Sequence, residues 1–187
     1  MVELSALWLP ILLSAVAVFV VSSVVHMVLK WHMSDYGRIP DEAKLLVALR
    51  EQGLQRGGYF FPYCGDMKEM GSAEMKEKFE RGPVGFMTIL PSGPMAMGKH
   101  LLQWFLYTIL VGVFVAYLGT LAAQPGAGFM DVFRVTATAS MLGYAVAPIV
   151  DAIWKSVAWS TTAKFIVDGI LYALATGAVF GWMWPGA

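Results

Sequence analysis

Four stretches of this chain run apolar for longer than the amphipathic stripe of a soluble helix allows. Ser5 to Leu29 comprises 25 residues without a formal charge. At about 1.5 Å of rise each, that exceeds the roughly 20 residues needed to cross about 30 Å of hydrocarbon. Leu101 to about Ala123, Asp131 to about Trp154 and Ala163 to about Trp184 predict three further spans. The first run lacks a basic leader and a small-residue cleavage site and follows Glu3, so it reads as a retained anchor rather than a secretory signal.

Between Lys30 and Lys99 the pattern turns polar and acquires helix and turn signals of its own. Pro40 and Asp41 suit a helix start, Leu45, Leu46 and Leu49 share one face, and Gly53 suits its stop. A second helix is expected from Ser72, as its cap, to Arg81, with Gly82-Pro83 ending it. Gly58 to Phe61 and Val84 to Leu90 read as extended and able to pair as a two-stranded ribbon. The alternative is that Tyr59, Phe60 and Phe61 dip into lipid headgroups. The expected fold is therefore an all-α membrane protein with a small cytoplasmic α+β insertion. Residues 1–30 carry the first span, 31–99 the insertion and 100–187 the other three spans.

Composition strengthens this reading. Of 187 residues, 58% are hydrophobic and 14% charged, against about a quarter charged in soluble domains. Thirteen basic residues balance 13 acidic ones, which removes a general electrostatic case for nucleic acid. Ten of the basic residues lie between Lys30 and Lys99. Basic flanks stay in the cytoplasm, so both termini are expected outside. The seven tryptophans all fall at predicted span ends, where an indole can be buried while its N–H stays wet. One cysteine, Cys64, permits no intrachain disulfide and reads as a plain thiol.

Candidate chemistry gathers on the last two spans. Ser140, Tyr144, Asp151 and Lys155 line one side of the third, with Pro148 expected to kink it; Lys164, Asp168, Tyr172 and Thr176 line one side of the fourth. Asp151 and Asp168 are expected at similar depth, each one turn from a lysine. Intramembrane ionisable residues are functional candidates, but Lys155 and Lys164 could equally neutralise the two aspartates in a structural cluster. A proton or cation pathway and a metal or ligand site are the alternatives. His26 and His100 fall at the same level and are weak candidates for a metal; the plain expectation is that His26 bonds to Ser22 or a neighbouring span while His32 and His100 are solvated. No cofactor and no stoichiometric metal are expected.

Gly169, Ala173, Gly177 and Gly181 form a seam of small residues on the fourth span, and Ala139, Gly143 and Ala147 one on the third. Such seams let helices approach closely in lipid, within one chain or between copies. Nucleophile-elbow, phosphate-loop, dinucleotide and paired-cysteine motifs are missing. Ser22 to His32 running into Ser34-Asp35-Tyr36, with Gly82-Pro83-Val84-Gly85 and Met97-Gly98 before Gln103 to Tyr107, resembles a family of small bacterial multi-span membrane proteins without an assigned activity. The resemblance implies a bacterial cytoplasmic membrane and assigns no site. The functional expectation is a non-catalytic accessory or structural subunit, with the bilayer and other subunits or copies of itself as partners. The alternative is an oligomeric ion channel or ion-coupled transporter using the aspartates.

Overall fold

The computed structural model describes residues 1–186. It is mostly helical, with four helices long and apolar enough to span a membrane: Leu4–Leu29, Met97–Ala122, Phe129–Lys155 and Trp159–Trp182. The first span consists of a short 3-10 turn, helix α1 (Trp8–Ser23) and a π-helical turn at Val24–Leu29. Two compact units divide the chain, one formed by residues 1–36 with 96–187 and one by 37–95.

In the smaller unit, the elements follow α2 (Glu42–Glu51), β1 (Gly57–Phe61), α3 (Met67–Met70), α4 (Ala73–Arg81) and β2 (Gly85–Ile89). The Asp41 carboxylate accepts from the Lys44 N–H at 3.0 Å and the Ser72 hydroxyl from the Met75 N–H at 3.1 Å. Each satisfies a donor that its helix start leaves orphaned. Gly53 closes α2 in the left-handed region at φ 62°, a conformation without steric penalty for glycine. The strands pair antiparallel, with Tyr59 opposite Met87 and Phe60 opposite Phe86. Phe60 packs on Phe86 (4.7 Å between ring centres) and on Phe79 of α4 (6.3 Å), so that ring is held within the ribbon's own packing.

The larger unit is a four-helix bundle: the first span packs on the second and fourth, and the second on the third, which shares its most extensive interface with the fourth. Met97–Ala122 is helix α5 and Trp159–Trp182 helix α8. The third span divides into α6 (Phe129–Tyr144) and α7 (Pro148–Lys155). Pro148 has no N–H to bond the carbonyl four residues back, which is that of Tyr144, and the helix opens there. Val18, Val115, Val132 and Phe180 are fully enclosed. Thr108, Thr136, Ser140 and Thr176 are buried too, each returning its hydroxyl proton to a carbonyl of its own helix at 2.7–2.9 Å, so they add close packing without an unmet polar group.

The fourth-span seam faces the third span. A methyl group at Gly169 would lie 2.5 Å from the Tyr144 oxygen and Ala145 Cα, one at Gly177 2.7 Å from Ala137 Cβ, and one at Gly181 2.7 Å from the Phe129 ring. Ala173 is buried on the same seam. On the third span, Gly143 is pressed against Val111 of α5 and Ala139 packs against the core. Gly169 thus seats α8 at the place where α6 opens, which fixes the height of its neighbour Asp168.

Candidate functional site

The site begins with a break in the chain. Lys30 ends the first span in the left-handed region at φ 53°, an uncommon conformation for a residue with a Cβ. The following 3-10 turn, Trp31–Asp35, packs against α8. Thr161, Lys164, Phe165, Asp168 and Tyr172 recur at three- and four-residue spacing, so they share one face of α8, and that face meets the turn.

His32 lies at the centre. Its Nε2 stands 2.7 Å from Asp168 Oδ2 and its Nδ1 2.6 Å from Asp35 Oδ2, with Phe165 packed on the ring at 4.7 Å. Each contact requires a proton, so His32, Asp35 and Asp168 hold two between them. Lys164 Nζ donates to Asp35 Oδ1 at 2.6 Å, to the Ser34 hydroxyl at 2.8 Å and to the Trp31 carbonyl at 2.9 Å; Thr161 donates to Asp35 Oδ1 at 3.2 Å. The hydrogen bond from Lys164, chief among these contacts, holds the Asp35 carboxyl below its ordinary value against the opposing effect of burial.

His26 stacks on His32 with ring centres 4.8 Å apart. Its Nδ1 lies 3.1 Å from the Ser22 carbonyl and its Nε2 4.0 Å from Asp168 Oδ2. The expected bond to Ser22 is therefore present, through the backbone rather than the hydroxyl. The Ser22 hydroxyl accepts from Trp104 Nε1 at 3.0 Å. Asp168 is 2% exposed, and among the described residues its Oδ1 has no hydrogen-bond partner; the same holds for the Tyr172 hydroxyl.

A half-open cavity of about 760 Å³ adjoins these groups, lined by residues of all four spans. Asp168, Tyr172, Tyr144, Trp104, His26 and His100 are on its wall. The rings pack on one another, with Tyr144 edge-on to Tyr172 at 5.8 Å and Trp104 edge-on to Tyr172 at 5.8 Å. Tyr107 donates to the Gly143 carbonyl at 2.6 Å, closing the wall where α6 ends.

Several expected placements change. Asp151 pairs with Lys155 at 2.8 Å on its own helix, as the structural reading expects, but it is half exposed and not among the residues lining the cavity, so it does not face Asp168 across it. Lys164 pairs with Asp35 rather than with Asp168, because the returning turn offers a carboxylate at closer reach. His32, expected in solvent, is 13% exposed and held by two carboxylates. His100 is exposed and reaches the cavity without joining the cluster. Asp35 and His32 are the residues that sequence reasoning missed. The available signal was a histidine and an aspartate three apart, directly after a span, on a chain with a lysine and an aspartate one turn apart on α8.

Comparison with protein-family models, curated proteins and solved structures finds no match for this chain.

Proposed function

We propose that this chain is a multi-pass protein of the cytoplasmic membrane that binds a small lipophilic molecule carrying a hydroxyl group, with residues 30–99 on the cytoplasmic side. The observation that carries this reading is a largely apolar and aromatic cavity whose wall includes Asp168 and Tyr172, two residues whose buried Oδ1 and hydroxyl have no hydrogen-bond partner among the described residues. Buried polar atoms are satisfied in the great majority of cases, and a pocket with an apolar body and a few convergent polar groups is the usual form of a small-molecule site. With a turn of either side chain toward the cavity, a ligand hydroxyl donates to the carboxylate oxygen or accepts from the tyrosine O–H, while its apolar part rests on Trp104, Leu101 and Met97. The concentration of basic residues between Lys30 and Lys99 supports the orientation.

The test is quenching of Trp104 by a medium-chain ω-bromoalkanol added to the detergent-purified chain. Saturable quenching is expected, lost in Trp104→Phe and weakened roughly fivefold to tenfold in Tyr172→Phe, which removes one hydrogen bond. Quenching that rises linearly without saturation, and equally for the corresponding methyl ether, would contradict it. Membership of a larger assembly is a separate proposal. The seam on α8 is filled from within the chain, and native mass after mild extraction tests whether other subunits accompany it.

A further inference from the structure

We propose that His26, His32 and Asp168 hold a divalent first-row transition metal ion, through the two Nε2 atoms and a carboxylate oxygen. The site goes beyond the lipophile reading and does not depend on it. One donor atom from each of the three residues lies within 4.8 Å of the other two. That proximity alone would not distinguish a metal site from a hydrogen-bonded cluster; the outer partners do.

Metal-binding histidines almost always give their second nitrogen to a carboxylate or a backbone carbonyl, which fixes the tautomer and aims the first nitrogen at the ion. Both partners are present here. His32 Nδ1 faces Asp35 Oδ2 at 2.6 Å and His26 Nδ1 faces the Ser22 carbonyl at 3.1 Å. Each acceptor calls for the proton on Nδ1, so each Nε2 is the atom turned toward Asp168. Asp35 is itself held by Lys164 and Thr161, completing a supporting layer around the first histidine. Asp168 Oδ1, buried and without a partner among the described residues, is a further available donor.

Two imidazoles and one carboxylate suit zinc, cobalt, iron or manganese, with positions left over for water or a ligand. The wall of the cavity carries His26 and Asp168, so those positions have room. Bonds of about 2.1 Å at tetrahedral angles separate donors by about 3.4 Å. The 2.7 Å contact would open by about 0.7 Å and the 4.0 Å contact close by about 0.6 Å, and the His26 ring, stacked nearly parallel on His32, would tilt so that both Nε2 lone pairs meet the ion, a side-chain rotation. The ion takes the place of the proton between His32 Nε2 and Asp168 Oδ2, and that proton is released to solvent.

The experiment titrates Co²⁺ into the full chain, purified in mild detergent and stripped with a chelator, and follows visible absorption. One Co²⁺ per chain is expected, displaced by Zn²⁺, with the absorption lost in His32→Ala and weakened at least tenfold in His26→Ala. His100→Ala should bind as the wild type does. Asp35→Asn, a change in a positioning residue, should weaken binding roughly tenfold while leaving the spectrum in place. His26 lies on the open side of the cluster at 45% exposure, so its variant reads the site even if His32→Ala fails to fold. No saturable Co²⁺ absorption in the wild type, or absorption that titrates with wild-type affinity in His26→Ala, would overturn the proposal. Bromoalkanol quenching of the stripped protein reports on the cavity separately, so failure of either reading is recognised by itself.

Discussion

Asp151 and Asp168 carry the same local signature, an aspartate one helical turn from a lysine near the end of a span, and they meet opposite fates. Asp151 forms an i,i+4 pair with Lys155, both about half exposed. Asp168 is 2% exposed, gives up its lysine to Asp35 and takes His32 instead. The difference comes from what lies across from each helix. α8 receives Trp31–Asp35, returned by the left-handed Lys30, and Asp168 pairs into that turn, whereas Asp151 pairs within α7 itself. A helical stripe states which residues share a face; the element packed on that face decides which of them pair.

The comparison breaks most severely where α8 is seated. Gly169→Ala places a methyl group 2.5 Å from backbone atoms of Tyr144 and Ala145, which cannot yield as a side chain can, and should lower stability by about 3 kcal/mol. Gly98→Ala, with open space at its Cβ, should cost nothing and bring a gain of about 0.5 kcal/mol. Thermal unfolding in detergent checks both.

Next in size is the contrast between the aspartates. Asp168→Asn keeps the volume but removes the charged acceptor of His32 in a buried setting, at an expected cost of about 2–3 kcal/mol. Asp151→Asn should stay within about 0.5 kcal/mol, as for exposed i,i+4 pairs. Equal losses from the two would erase the distinction between the sites. Lys164→Met should fall between them, since Asp35 keeps Thr161 and His32 while the Trp31 carbonyl and Ser34 lose a donor.

The smallest effect sharpens the exposed side of the comparison. Lys78, through its hydrogen bond, holds the Glu74 carboxyl below its ordinary value of 4.5 on an open helix face. Its contribution is present above that value and lost as pH falls through the lowered one. Lys78→Gln should therefore raise the Glu74 midpoint seen by carboxyl NMR titration, with scarcely any change in unfolding.

What could be read beforehand divides along the same line. Span positions, the two helix caps, the Gly53 stop, the extended character of the two strands and the opening at Pro148 depend on neighbours within a few residues, so the one-dimensional pattern carries them. Asp168, Tyr172 and Tyr144 were visible as intramembrane polar residues for the same reason. The His32–Asp168 contact joins positions 136 apart and follows from a conformation at Lys30 that the residue type does not favour. Periodicity has no term for it. The use of Gly169 was half legible: its small size announced a close approach, while the partner, the opened end of α6, emerged only from packing.

Asp168 belongs to a coupled buried cluster with His32, unlike its counterpart Asp151. A double-mutant cycle on His32→Gln and Asp168→Asn, measured by equilibrium unfolding beside a cycle on Asp151→Asn and Lys155→Met, tests it most directly. Coupling of about 1.5–3 kcal/mol is predicted for the first pair and about 0.3–0.5 kcal/mol for the second. Coupling in the first pair no larger than in the second would contradict the account.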